Sequence, residues 1–152
     1  MKWIVLALLM AGRLAVAATL LPGEALPAIR LTDQHDKPLA LTADTRLVFF
    51  AAEMDGSRLM TQALEALPPA TLQEKKAVYI ADISSMPGLL STMMAVPKMQ
   101  KAPYRIAVIR FEKEGERLPR KPGAVTVLTI DAGKISSVDF ARDAQQIRNH
   151  LK

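Results

Sequence analysis

Two uninterrupted apolar runs, Leu47-Val48-Phe49-Phe50-Ala51 and Ala77-Val78-Tyr79-Ile80-Ala81, narrow the folds open to this chain more than any other feature. A strand that is apolar at every position has no face to give to water. Both runs therefore belong in the interior of a sheet covered on each side. The segment after each run has a different period. After Asp55-Gly56-Ser57, the residues Leu59, Met60, Ala63, Leu64 and Leu67 recur at helical spacing until Pro68-Pro69 stops the helix. After the second run, Met86 to Met99 reads as another helix, entered through Ser84 or Ser85 with Pro87 in its first turn. Strands that alternate with helices make crossover connections, and crossovers join parallel strands.

The flanking segments complete the pattern. Ile29 and Leu31, then Leu39 and Leu41, alternate with polar neighbours on either side of the turn Asp33 to Pro38, as in a small hairpin. Tyr104 to Phe111 is a third strand, and the charged stretch Glu112 to Lys121 is an exposed loop with at most one helical turn. Ala124 to Ile130 and Ile135 to Val138 form a second hairpin about Asp131-Ala132-Gly133-Lys134. Asp139 then caps a helix whose Ala141, Ala144, Ile147 and Leu151 make one apolar stripe. The predicted architecture is a three-layer α/β/α sandwich with a mixed central sheet and an N-terminal β-hairpin.

Lys2, the apolar run Trp3 to Gly12 and the small-residue motif Ala15-Val16-Ala17 make residues 1 to 17 a secretory signal, with cleavage after Ala18 as an alternative. An uncleaved anchor from Trp3 to Leu21 would hold Arg13 near mid-membrane at a cost of about 2.5 to 3.5 kcal/mol. The mature chain, residues 18 to 152, is thus expected in the periplasm as a single domain, with no stable membrane insertion after cleavage. Loss of Lys2 and Arg13, with no acid, lowers the net charge from +5 to +3. So small and scattered an excess, with few aromatics, excludes a nucleic-acid footprint. The chain has no cysteine, so disulfide exchange and thiol peroxidase chemistry are excluded.

Ile29-Arg30-Leu31-Thr32-Asp33-Gln34 with Lys37-Pro38, and Thr129-Ile130-Asp131-Ala132-Gly133-Lys134-Ile135, resemble two motifs of the thioredoxin-like superfamily in its peroxiredoxin and periplasmic thiol-reductase form. The resemblance spans about Leu26 to Leu151. It implies that Asp55 and Arg58 stand where such proteins carry the two cysteines of Cys-x-x-Cys, and Val125 where they carry a cis-proline. A cis bond before a residue other than proline costs about 2.5 to 4 kcal/mol, so a trans bond is expected here. Met86-Pro87-Gly88 and Gly123-Ala124-Val125-Thr126-Val127-Leu128 resemble motifs of the cysteine-free YtfJ-like exported proteins.

The candidate binding surface is this degenerate site: Asp55, Gly56, Ser57, Arg58, Met86, Pro87, Ala124 and Val125. Asp55 is expected to cap the helix, a role worth about 0.5 to 2 kcal/mol. Ser57 is a poor nucleophile, since the only histidines, His35 and His150, are remote in sequence. The N–H groups of Gly56 to Arg58, with the guanidinium, could receive an anion. Met86, Met93, Met94 and Met99 crowd one segment, where thioethers suit Cu(I) but equally suit core or partner-facing packing. The expected function is a non-redox binding or accessory module for an unidentified protein or peptide in the cell envelope. No cofactor and no resident metal are expected. The alternatives are a cysteine-independent enzyme using Asp55 and a copper-binding protein.

Overall fold

The structure, a computed structural model, describes residues 18–152; the predicted signal, residues 1 to 17, lies outside them. Seven strands form one sheet: β1 (Arg30–Asp33), β2 (Pro38–Ala40), β3 (Leu47–Ala51), β4 (Ala77–Asp82), β5 (Ala107–Ile109), β6 (Val125–Asp131) and β7 (Lys134–Ala141). Their spatial order is β2-β1-β5-β4-β3-β6-β7. The three central strands β5, β4 and β3 are parallel, and the hairpins β1/β2 and β6/β7 add to them antiparallel on either side.

The two apolar runs are β3 and β4, paired from Leu47 with Ala77 to Ala51 with Ala81. Their side chains alternate between two cores. Phe49, Ala51, Tyr79 and Ala81 point to one face, packed with Met60, Ala63 and Leu64 of α1 (Met54–Glu65), Leu72 of α2 (Thr71–Glu74), and Ile147 of α5 (Ala144–His150). Val48, Phe50 and Ile80 point to the other, with Leu128, Ile130 and Ile135. The connections from β3 to β4 and from β4 to β5 step in the same direction across the sheet. Right-handed crossovers then place both on the α1 side, which Met99, Ala102 and Tyr104 confirm by packing there.

Among the described residues, the opposite face is covered without a long helix. Leu20 and Leu118 close its core, carried by the N-terminal segment and by the stretch after β5, whose one regular turn is the 3₁₀ helix Glu112–Gly115. Leu20 N–H donates to the Arg117 carbonyl at 2.9 Å, and Arg117 Nε donates to the Ala18 carbonyl at 2.9 Å. Thr126 Oγ1 donates to the Pro119 carbonyl at 2.6 Å, while Arg120 lies 5.2 Å from the Phe50 ring centroid and 3.5 Å from buried Asp82. Polar anchors thus hold an irregular layer over an apolar floor.

Several predicted boundaries move, each for a local reason. The second helix starts at Gly88 rather than Met86, because the Ser84 N–H and hydroxyl are turned back onto Asp82 at 2.9 and 2.6 Å. It runs as α3 (Gly88–Leu90), a π turn (Ser91–Ala95) and α4 (Val96–Gln100). Pro97 lacks the N–H that the Met93 carbonyl would accept in a regular helix. The third strand shrinks to Ala107–Ile109, since the Tyr104 carbonyl and Ile106 N–H are taken by Gln34. Asp139 lies inside β7, which β6 extends as far as the pair Val125 with Ala141. The cap of the last helix is Asp143, accepting from Gln146 N–H at 2.8 Å.

Gln34, 1% exposed, ties the N-terminal hairpin to the segment before β5. Its Nε2 donates to the Tyr104 carbonyl at 2.7 Å and the Met99 carbonyl at 3.3 Å, and its Oε1 accepts from Ile106 N–H at 2.8 Å. Next to it, buried Asp33 receives Arg105 Nε at 2.8 Å and the N–H groups of His35 and Lys37 at 2.8 and 3.0 Å. Burial pushes the Asp33 carboxyl pKa up, but these hydrogen bonds outweigh it and hold the group below its ordinary value of 3.8. A depressed folded value means that Asp33 stabilises the fold fully above pH 3.8 and loses that effect as pH falls through the folded value. Asp33→Asn should therefore flatten the decline of melting temperature with pH below 3.8. Gln34→Ala should cost about 2 to 4 kcal/mol in urea unfolding, because it orphans the Tyr104 carbonyl and the Ile106 N–H and leaves a cavity.

Candidate functional site

The strand β3 ends at Ala51, and α1 begins three residues later at Met54. The capping position belongs to Glu53, whose side chain makes no capping hydrogen bond. This corrects the expected role of Asp55: it sits in the first helical turn, where a carboxylate meets the positive end of the helix without closing it. Asp55 and Arg58 pair at 3.2 Å with side chains 65% and 66% exposed. Gly56 between them is buried. A Cβ there would lie 3.3 Å from both Cα and Cβ of Ala51 and 3.4 Å from the Ala124 carbonyl oxygen. The absent side chain is what lets the helix start settle against β3 and the entry to β6.

The structure thus brings Gly56 and Ala124 together and buries Ala124 and Val125 beside the helix start. The peptide bond before Val125 is trans, as expected. Met86 and Pro87 leave from β4 at the same sheet edge, because β3 and β4 are parallel and paired to their ends. Ser57 is half-buried, and its side chain lies towards the Tyr79 hydroxyl rather than a histidine. Burial is the main reason that the Tyr79 hydroxyl pKa is pushed well up, so this contact stays neutral. Two of the donors expected to receive an anion are already used. Ser57 N–H donates to the Glu53 carbonyl at 3.1 Å, and Arg58 is held by Asp55 and by Met54 Sδ at 3.8 Å.

The methionines divide. Met99 packs on the core, whereas Met93 and Met94 are 67% and 66% exposed, so the core alternative fails for this pair. Concave space lies elsewhere. A cavity of about 550 Å³ opens at the other end of the parallel strands, lined by Leu39, Leu72, Val78, Pro103 and Tyr104 among others, and one of about 310 Å³ lies beside His150. Neither is lined by any residue of the candidate site.

No family model matches this sequence, and no curated protein matches it. Solved structures do. A protein described as thiol:disulfide interchange protein DsbE from Chlorobium tepidum superposes with a TM-score of 0.59 at 18% identity, covering 88% of this chain and 100% of its own. The fold is thioredoxin-like. A thio-disulfide isomerase from Thermus thermophilus gives 0.55 at 15% identity, covering 87% of this chain and 95% of that one. A peroxiredoxin-like protein from Aquifex aeolicus gives 0.54 at 12%, covering 90% and 88%. The thioredoxin-like fold is therefore present here in a chain without cysteine.

The two aspartates at helix starts give opposite expectations. Asp55→Ala should change stability in urea by less than about 0.5 kcal/mol, since an exposed ion pair contributes little. Asp143→Ala should cost about 1 kcal/mol, the usual value of a made cap.

Proposed function

We propose that this chain is an exported, non-redox protein of thioredoxin-like fold that binds a protein or peptide partner in the periplasm, and that it belongs with the cysteine-free YtfJ-like proteins. One observation carries the reading: the first turn of α1 rests against Ala124 through Gly56, with no thiol on either side of the contact. Residues 1 to 17 support export, and the motifs Met86-Pro87-Gly88 and Gly123 to Leu128 support the finer family. The contact surface is the sheet edge bearing Asp55, Gly56, Ser57, Arg58, Met86, Pro87, Ala124 and Val125. Acid–base catalysis by Asp55 finds no support, because the carboxylate is solvated, paired with Arg58 and outside both cavities. Copper binding by Met93, Met94 and Met99 together finds none either, since Met99 faces the core and the other two face solvent.

Restoring the sulfur tests the reading. The double substitution Asp55→Cys with Arg58→Cys should give a pair that oxidises within the chain, its thiol at position 55 titrating below the ordinary value of about 8.5. It should also reduce insulin disulfides, which the natural chain should not. A pair that stays reduced, with an ordinary thiol pKa, would show that this edge is not a redox site emptied of its chemistry. Added extended peptides should shift the amide resonances of Gly56, Ser57 and Val125; shifts confined to other surfaces would move the binding face.

A further inference from the structure

The segment Gly88–Gln100 inverts the usual arrangement of a surface helix. Half-buried Ser91, Ala95, Val96 and Met99 form its inner side, while its outer side is apolar: Leu89, Leu90, Met93 and Met94 are 72%, 49%, 67% and 66% exposed. Leu89 with Met93, and Leu90 with Met94, are spaced four apart and build one protruding ridge. A helix normally turns its polar side to water, so a ridge of this kind marks a contact surface.

The charge around it is of one sign. No acidic residue occurs between Asp82 and Glu112, a stretch that carries Lys98, Lys101, Arg105 and Arg110. Arg105 and Arg110 are paired with Asp33 and Asp36, whereas Lys98 and Lys101 have no acidic partner among the described residues. Both lysines lie at the C-terminal end of the same segment.

We propose that this outer side is a peripheral docking surface for an anionic lipid bilayer. The four side chains would enter the boundary between headgroups and acyl chains, and Lys98 and Lys101 would lie at the phosphates. Flexible, unbranched thioethers suit a fluid surface. The segment is about 20 Å long at 1.5 Å per residue, too short to cross, and no helix among the described residues is long and apolar enough to do so. Four side chains also fall well short of the roughly 800 Å² per partner that a stable dimer buries. This inference is independent of the contact edge at Asp55, and its failure would leave that reading untouched.

The test uses the chain from Ala18 to Lys152, which contains the whole sheet and both cores. It should co-sediment with vesicles containing phosphatidylglycerol, bind pure phosphatidylcholine vesicles at least tenfold more weakly, and be released by about 0.5 M salt. Met94→Trp supplies a single reporter, because the one tryptophan of the sequence is Trp3; its emission should shift to the blue on anionic vesicles. Leu89→Ser with Met93→Ser should weaken binding at least tenfold at an unchanged melting temperature. Lys98→Glu with Lys101→Glu should weaken it only on anionic vesicles. Absence of binding, or equal binding by the Leu89/Met93 variant, overturns the proposal. A dimer dispersed by that variant, without vesicle binding, would overturn it in favour of a second copy of the chain.

Discussion

Everything in this molecule is arranged about β3, a strand that must be paired on both edges and covered on both faces. Its Leu47 to Phe50 backbone lies between parallel β4 and antiparallel β6, so no edge is left open. Val48, Phe49, Phe50 and Ala51 are each fully buried, two on either side. An apolar strand in water would expose both its side chains and its ladder. The two demands together require a sheet and two covering layers, and the remaining elements supply them.

The covering layers are unequal, and the crossover rule explains why. Both helical connections of the parallel strands fall on one face, α1 among them, and the C-terminal α5 packs there too. Among the described residues, the other face receives only the N-terminal segment and the stretch from Glu112 to Lys121. These are short of apolar area and are fixed by hydrogen bonds from Leu20, Arg117 and Thr126. The pair Asp33–Arg105 and the buried Gln34 do the same for the outer hairpin, joining β1 to a segment more than 60 residues away in sequence.

The same frame brings a helix start and a strand entry into contact at one sheet edge. In a thioredoxin-like fold this is where a helix N-terminus would act on a thiolate. Here the field falls on Asp55, which water and Arg58 already satisfy. The contact at this edge is steric: Gly56 is without a side chain where a Cβ would sit tightly against Ala51. The exposed apolar ridge one strand away adds a second surface that the core does not use.

The order of strands and helices was legible in the sequence because the buried strands are continuous apolar runs and α1 is strongly periodic. The turns at Asp33 to Pro38 and Asp131 to Lys134 were legible from their residue types, and the candidate site was placed by counting from Phe50. Boundaries were less legible. Asp139 and Asp143 are both good caps, and only the pairing partner of β7 decides which is used. Glu53 could not be distinguished from Asp55 as the position before the helix, since capping depends on backbone angles rather than on residue type alone. The core roles of Gln34 and Leu20 gave no local signal, because their partners at Tyr104, Ile106 and Arg117 are distant along the chain. The outward turn of Met93 and Met94 was open for a like reason: periodicity marks a helix's apolar side, but which side meets the sheet is set by packing of the whole. The sequence by itself determined the secondary elements, the buried strands and the loss of thiol chemistry, since these depend on residue type and near neighbours. Register, caps, the polar anchors and the exposed ridge were decided by tertiary structure alone, since each depends on contacts between residues far apart along the chain.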